Sequence, residues 1–597
     1  MSDPFGHHAP TTTYSPQPAR QEMIREESGI PITTDDGTVQ WVRPSSEAQR
    51  PTTGLTTSQA AGHDQQRFPN TATLHRKPSD EDLRRLSRDS EKEKDSDLES
   101  PIAPIADQDA NVDIEKQGGR QDQGHDNEDE QRDPNLVDWD GDDDPENPMN
   151  WNPVRKWAIA TSMGSMTLVV TFASSVFSAA TMVTAQQFGV SSEVMILGVA
   201  LFVLGFAFGP IVWGPFSELY GRKAPLFVGY AIFAIFQIPV AVATNLQTIF
   251  VCRFFGGFFA SAPLAVVGGA LADFFDPIDR GVAACLFSAA TFIGPTLGPI
   301  MGGFITMSYL GWRWTQWITM IMAALFGTIG FFVIPETFAP VLLQRKAKKL
   351  KYKTKNWALR APADEKEVNL KEIADKYLLK PFKMLALEPI LILVTLYMSL
   401  IYGIIYLFFE AYPISFQEER GWNLGVGSLP FLSVLIGVIF GSIIIVAVTK
   451  TRTKRKMQEH GEIVPEERLI PMIIGGVLLP IGLFWFAWTS SPNITPWPQI
   501  IAAIPIGAGI MMIFLQGLNY IIDVYKMNAN SAIAANTFFR SWVGAGFPMF
   551  ATPMFHNLGV PWAMSLLGFL CVAMAPVPVL YYIYGARIRK LSKYTPD

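Results

Sequence analysis

The chain has 597 residues, 49% hydrophobic and 12% aromatic, with a mean hydropathy of +0.19 and a formal net charge of −6. The averages conceal two unlike parts: residues 1–150 are rich in Asp, Glu, Ser, Gln, Pro and Arg, the remainder is apolar, and the tail's acidity gives no argument for a nucleic-acid partner. The three cysteines, Cys252, Cys285 and Cys571, all fall inside apolar runs, so neither a disulfide framework nor zinc spacing is present and they read as small buried hydrophobes.

Taken in chain order, residues 1–150 cannot bury enough apolar surface to offset their ordering entropy, which predicts a disordered tail. Within it Arg84-Arg-Leu-Ser-Arg88 makes Ser87 a site for a basophilic kinase, where phosphorylation would regulate trafficking. The tail opens with no apolar signal segment, so the first span is expected to act as the insertion signal. From Trp157 onward come apolar runs of about 20 residues, each long enough to cross roughly 30 Å of hydrocarbon as a helix. The first six are expected near 157–177, 194–213, 225–244, 249–272, 283–307 and 315–334. A polar, lysine-rich loop near 338–388 follows. The second six are expected near 390–412, 427–449, 469–489, 498–519, 531–552 and 562–584.

This pattern predicts an all-α membrane protein of twelve transmembrane helices in two six-helix bundles, 151–337 and 389–586. A short tail, 587–597, closes the chain. Arg222, Lys223, Arg280, the central lysines, the Lys450–Lys456 run and Arg587–Lys590 all fall on one side, which is expected to be cytosolic along with both termini. Two bundles around a basic loop imply a substrate cavity at their interface near the bilayer midplane. Intramembrane Gly and Pro then serve close helix approach and bends.

Charges inside such spans are costly and mark function or pairing. Arg253, in the fourth span, is either a structural tie between helices or a group that couples to a nearby carboxylate. Glu410, among aromatics at the outer end of the seventh span, reads as a proton site, an anchor for a cation, or a helix-end acid in water. Histidine is set aside as proton carrier: five of the seven lie in the tail, and His460 and His556 in loops. Carboxylates are left, namely Glu410, Asp273 and Asp523. Between the second and third spans, Gly214-Pro-Phe-Ser-Glu-Leu-Tyr-Gly-Arg-Lys223 reads as a tight charged loop. Its Gly214, Glu218, Gly221, Arg222 and Lys223, with Asp273, Asp523 and Arg540, are expected to form a cytosolic gate that latches the two halves. Arg540, in the eleventh span, is expected to pack centrally in the second half, with a structural pairing to Asp523 as the alternative to a functional role. The pocket is expected to use Gln237, Tyr402, Tyr406, Phe409, Gln516, Asn519, Tyr520 and Asn536. Asn493-Ile-Thr495 is a glycosylation sequon close to the outer membrane surface.

Three of these stretches resemble the major facilitator superfamily: Gly214–Lys223 with its G-R-K element, Arg253-Phe-Phe-Gly-Gly257, and Gly294–Gly303 with Gly298-Pro-Ile-Met-Gly-Gly303. In the first, Glu218 stands where an Asp is usual; in the third, Cys285 stands where the longer version has Gly. Gly294, Gly298, Pro299, Gly302 and Gly303 resemble the proton-antiporter element. Asp144-Pro-Glu-Asn-Pro148, Asn150-Trp151, Trp312–Trp317, Pro335-Glu-Thr337, Phe409–Pro413, Ile481–Trp488 and Asn536–Arg540 resemble the fungal twelve-span drug:proton antiporters. That branch includes multidrug, cycloheximide, fluconazole and polyamine exporters. The resemblance implies coupling through Arg253 and export of drugs or other hydrophobic or cationic small molecules by proton antiport, not enzymatic catalysis. It implies no cofactor beyond the proton gradient, a monomer in the lipid bilayer, and the plasma membrane as location, with the vacuolar membrane compatible. No G-x-x-x-x-G-K-[ST] loop is present to cradle ATP. An importer of the same fold and a nutrient receptor on a transporter scaffold remain as alternatives.

Overall fold

The computed structural model of the chain describes residues 30–33, 39–42, 133, 135–365, 375–461 and 464–595; Ser87 lies outside them. The chain divides into two units, residues 1–120 and 121–597. In the first, Ile30–Thr33 and Val39–Val42 form an antiparallel hairpin with Ile30 opposite Val42. Every helix among the described residues lies in the second unit.

Helix α1, Pro153–Ser175, starts where the Asn152 side chain accepts from the Val154 N–H and Pro153 presets the first turn. It tightens into a 3₁₀ turn, Val176–Ala180, and resumes as α2, Thr181–Phe188, closed by Gly189 at φ 65°. Helices α3 (Ser192–Leu219), α4 (Lys223–Ala241), α5 (Leu246–Phe274), α6 (Pro277–Met307) and α7 (Arg313–Val333) complete the first bundle. The amphipathic α8, Ala339–Thr354, leads into the central loop. The second bundle comprises α9 (Pro389–Tyr412), α10 (Phe431–Val448), α11 (Leu469–Trp488), α12 (Pro496–Tyr525), α13 (Ala529–Met574) and α14 (Pro576–Arg589).

Among the described residues, eleven segments are long and apolar enough to cross a membrane, where twelve are expected. The difference lies in the last segment, Ala529–Arg589. At 61 residues it would reach about 90 Å as one straight helix, roughly three hydrocarbon thicknesses. Gly559, at φ 73° and ψ 157°, breaks it ahead of Pro561. The expected eleventh and twelfth spans therefore both lie in this segment, one on each side of Gly559.

In the first bundle α3 packs on α5 and α1 on α6; in the second α11 packs on α12 and α9 on α13. The halves meet where α3 packs on α13 and α6 on α10 and α12. Enclosure separates inner from outer spans: the segments of α1, α9 and α12 are each 78% buried and that of α7 only 22%, leaving Ile321, Leu325 and Phe332 on the outer surface. Cys285 and Cys571 are buried and Cys252 half-buried, and all three are free thiols.

The folded part begins before residue 150, where the sequence reading ends the tail. Val137 packs with Leu343, Ala347 and Ala361, and its N–H donates to the Arg360 carbonyl at 2.8 Å. Asp144 organises this segment. Its carboxylate accepts from the N–H groups of Asp140 (2.9 Å) and Glu146 (2.8 Å) and meets Lys346 Nζ of α8 at 2.8 Å. The Lys346 ammonium first, then those two amides, hold the Asp144 carboxyl down at about 2. A folded value below the usual one near 3.9 stabilises docking at neutral pH, and that contribution fades as pH falls from about 4 toward 2. Asp144→Asn is therefore expected to release the segment already at pH 7. The check is faster deuterium uptake at Asp140 and Glu146 in the purified protein; unchanged protection would contradict it.

Candidate functional site

The site is built around the break at the end of α1. The last carbonyls of a helix lose their regular intrahelical partners, and inside a membrane water does not replace them. Arg253 of α5 supplies the donors. Its Nη1 donates to the Ala173 carbonyl (2.8 Å), Nη2 to that of Ser174 (3.2 Å) and Nε to that of Gly198 on α3 (3.0 Å). The guanidinium also lies 4.5 Å from the Phe202 ring centre and 5.0 Å from that of Phe177. Only 1% of Arg253 is exposed, and no carboxylate pairs with it among the described residues. A cation at the negative end of a helix is the favourable sign, so the geometry carries the structural tie directly.

The glycines of the antiporter-like element serve the same junction. Gly294, Gly298 and Gly302 are four residues apart, on one stripe of α6. A Cβ at Gly294 would stand 2.7 Å from the Leu168 carbonyl oxygen, at Gly298 2.8 Å from the Val176 nitrogen, and at Gly302 2.6 Å from the Val176 oxygen. The stripe admits the backbone of α1 at its break. Gly303 faces the other half, where a Cβ would stand 2.8 Å from the Leu424 oxygen. Pro299 lines a cavity shared between the halves.

From the same break a polar path crosses into the second half. The hydroxyls of Ser174 and Tyr406 of α9 lie 2.9 Å apart, both buried. The Tyr406 ring centre is 5.1 Å from Tyr402 and 5.2 Å from Phe409. Beyond Tyr402 comes Arg540 of α13, its guanidinium 4.8 Å from that ring and 4.7 Å from Phe514. Asn536 donates to Thr395 Oγ1 (3.1 Å) and accepts a long contact from Arg540 Nη1 (3.5 Å).

Two further clusters flank this centre. At the end bearing the 214–223 stretch, α3 continues as helix to Leu219, so only residues 220–222 form the turn expected to span the whole motif; Gly221 sits there at φ 88°. Arg222 donates through Nε to Asp273 (3.0 Å) and through Nη1 to Ser217 (2.9 Å). Thr337 Oγ1 also donates to Asp273 (3.2 Å). Glu336 accepts from the backbone N–H groups of Arg222 (2.7 Å) and Lys223 (3.2 Å). Lys223 Nζ donates to the Phe331 carbonyl (3.0 Å). All these groups belong to the first half, so the Arg222–Asp273 pair does not latch the halves as expected. Polar contacts between the halves at this end include Arg280 with Asp523 (3.5 Å) and Asn530 Nδ2 donating to Glu218. Asp523 takes its second partner from Arg468 (2.9 Å), not from Arg540. Gly214 touches only a small crevice with Pro381 and Asn530.

At the opposite end a cavity of about 180 Å³ opens between the halves. Glu410, Glu193, Glu418, Phe409, Thr552 and His556 are among its lining residues. His556 lies in α13, not in a loop, and its Nε2 is 3.0 Å from Glu418 Oε2. Histidine therefore returns to the acid cluster from which the sequence reading removed it. Asp273, offered in the sequence reading both as a proton carrier beside Glu410 and as a member of the Arg222 cluster, lies in the Arg222 cluster. Of the remaining pocket nominees, Gln237 turns inward in the first half, donating to Phe233 (3.1 Å). Tyr520 stacks on Tyr581 of α14, and Gln516 and Asn519 are buried in α12. Missed partners are Glu336, Thr337, Glu193, Arg468 and Asn530. Glu336 and Thr337 carried a signal, as an acid and a hydroxyl immediately after the sixth span.

Comparison with known proteins gives a consistent picture. Residues 163–548 match the family described as Major Facilitator Superfamily. The chain is 58% identical over 462 residues to a "citrinin biosynthesis cluster MFS transporter" of Monascus ruber, covering 77% of this chain and 92% of that one. It is 53% identical to an "ascochitine biosynthesis cluster MFS transporter" of Didymella fabae, with 78% and 90% covered. It is 48% identical to a "cercosporin MFS transporter" of Cercospora nicotianae, with 77% and 90% covered. Among solved structures, the proton:xylose symporter XylE aligns with a TM-score of 0.52 at 17% identity, covering 73% of this chain and 96% of that one, a likeness of fold alone.

Proposed function

The chain belongs to the Major Facilitator Superfamily, and from that premise we propose that it exports small organic metabolites by proton antiport through alternating access. One observation carries this reading. Charged and polar contacts, Arg280–Asp523 and Glu218–Asn530, join the halves at one end, while a cavity with Glu193, Glu410 and Glu418 separates them at the other. Asp523 keeps Arg468 as a partner when the Arg280 contact breaks, so such a latch can open without leaving a buried carboxylate unpaired. An exchanged proton requires a carboxylate reached from one face at a time, and in this state Glu410 lines a cavity at one end. Relatives of this length and identity bear the names of biosynthetic clusters, which supports a secreted metabolite as cargo. The membrane is the plasma membrane, or the vacuolar membrane with the same topology, and both termini face the cytosol. The carrier works as a monomer with the proton gradient as its energy source.

The acidic cavity itself favours a second reading, in which a cationic drug or polyamine is carried. In both readings Glu410 is the proton-exchanging group. Glu410→Gln is expected to lower concentrative efflux at least tenfold at matched surface expression while leaving equilibrative exchange. The test follows efflux of fluorescein and of rhodamine 123 from energised cells, with and without a protonophore. Efflux that survives the protonophore would replace antiport by facilitated diffusion.

A further inference from the structure

We propose that Arg540 is the docking point for an anionic oxygen of the cargo, so that this carrier takes planar aromatic acids rather than cations. The proposal rests on the efflux reading and narrows its substrate class. Arg540 lies about 16 Å along α13 from Ala529 at 1.5 Å per residue, close to the middle of a membrane span. It is 7% exposed, and its surroundings differ from those of the other buried arginine. Arg253 donates to three backbone carbonyls at 2.8–3.2 Å. The contacts of Arg540 are two aromatic faces and one 3.5 Å approach to Asn536, and its Nε has no hydrogen-bond partner. No carboxylate pairs with it among the described residues.

A guanidinium carries five donors in a planar fork that matches a carboxylate and keeps its charge under all physiological conditions. Buried without a counter-charge it is costly, and that cost is relieved when an anion arrives. The rings beside it supply the rest of the site. Tyr402 and Phe514 flank the guanidinium, and Phe292 of the first half stands edge-on to Phe514 with centres 4.7 Å apart. Phe292 and Phe514 come from opposite halves, as do Ser174 and Tyr406. An acid held at Arg540 therefore sits where the two halves move against each other. The acidic cavity beyond Glu410 is a weaker candidate for the cargo's charge, because its carboxylates lie at one mouth and His556 already faces Glu418.

Fluorescein and rhodamine 123 share a ring system and carry opposite charge, so they separate the two chemistries. Their binding to the purified full-length protein is read by fluorescence polarisation. Wild type is expected to bind fluorescein more tightly than rhodamine 123. Arg540→Gln is expected to weaken fluorescein at least tenfold without weakening rhodamine 123, and Arg540→Lys to retain an intermediate affinity. The proposal is overturned if wild type binds rhodamine 123 better or binds no fluorescein. Unchanged fluorescein binding by Arg540→Gln overturns it as well. Where Arg540→Gln fails to fold, the wild-type preference still decides the charge of the cargo and Arg540→Lys the role of the residue. In proteoliposomes with an imposed proton gradient, fluorescein binding without proton-driven movement would sink the efflux reading and leave Arg540 as the anion site. Proton-driven movement of rhodamine 123 with no fluorescein binding would do the reverse.

Discussion

Arg253→Ala is expected to abolish transport and to lower the melting temperature of the purified protein. The substitution orphans the carbonyls of Ala173 and Ser174 at the end of α1, where a membrane supplies no water, and takes a second donor from the Gly198 carbonyl inside α3. Each unsatisfied buried acceptor costs about 1–3 kcal/mol. Against this stands the relief of removing a charge from the membrane, about 2.5–3.5 kcal/mol on insertion scales. Two orphaned acceptors, one weakened acceptor and two lost ring faces outweigh that relief. The functional loss is larger still, because the Ser174 hydroxyl that meets Tyr406 depends on where the end of α1 is held. Arg253→Lys can reach one or two of the carbonyls but not all three, so it is expected to fold better than Arg253→Ala and to transport poorly. Melting in detergent and efflux at matched surface expression check both. Wild-type efflux in Arg253→Ala would remove the α1 break from the mechanism.

Gly298→Val is expected to be almost as damaging, for a steric reason. A Cβ at this position would meet the Ser175 hydroxyl and stand 2.8 Å from the Val176 nitrogen and 3.0 Å from the Ser175 carbonyl carbon. Two of those neighbours are backbone and cannot rotate away. Overpacking typically costs about 1–3 kcal/mol, and here α6 must be displaced from the break that Arg253 caps. Gly298→Ala should show a smaller loss of the same kind. Gly214→Ala is the control, because a Cβ there meets nothing within 4 Å. The expected order of melting temperature and efflux is therefore Gly214→Ala near wild type, then Gly298→Ala, then Gly298→Val. A Gly298→Val protein that melts and transports like wild type would show that close approach at this position is dispensable.

The two predictions converge on one junction from different elements. Arg253 reaches it from α5, the glycine stripe from α6, and Tyr406 from the second half. A helix broken inside a membrane needs donors for its carbonyls and room for its irregular backbone, and these residue types supply one or the other. Reading Arg253 as a tie and the glycines as close-approach positions is thus a single structural statement.

The amino-acid sequence by itself determined the class of molecule. Apolar runs of membrane-crossing length, the lysine-rich middle and the motifs around Arg222, Arg253 and Gly298 are local features, and their meaning survives without coordinates. The sequence reading placed two spans, near 531–552 and 562–584, in the continuous segment Ala529–Arg589, and the structure puts the break at Gly559 between them. Partners across the structure were not legible. Asp523 could be matched with Arg280, Arg468 or Arg540, and only the packing of α6 and α12 selected the first two. Likewise only tertiary structure brought His556 to Glu418, joined Glu336 to the Arg222 turn and left Arg540 among aromatic rings. The physical reason is that a membrane helix is apolar all round, so its sequence carries little periodic signal for which face turns inward. Rotation about the helix axis, and with it every long-range pair, is fixed by side-chain packing between helices.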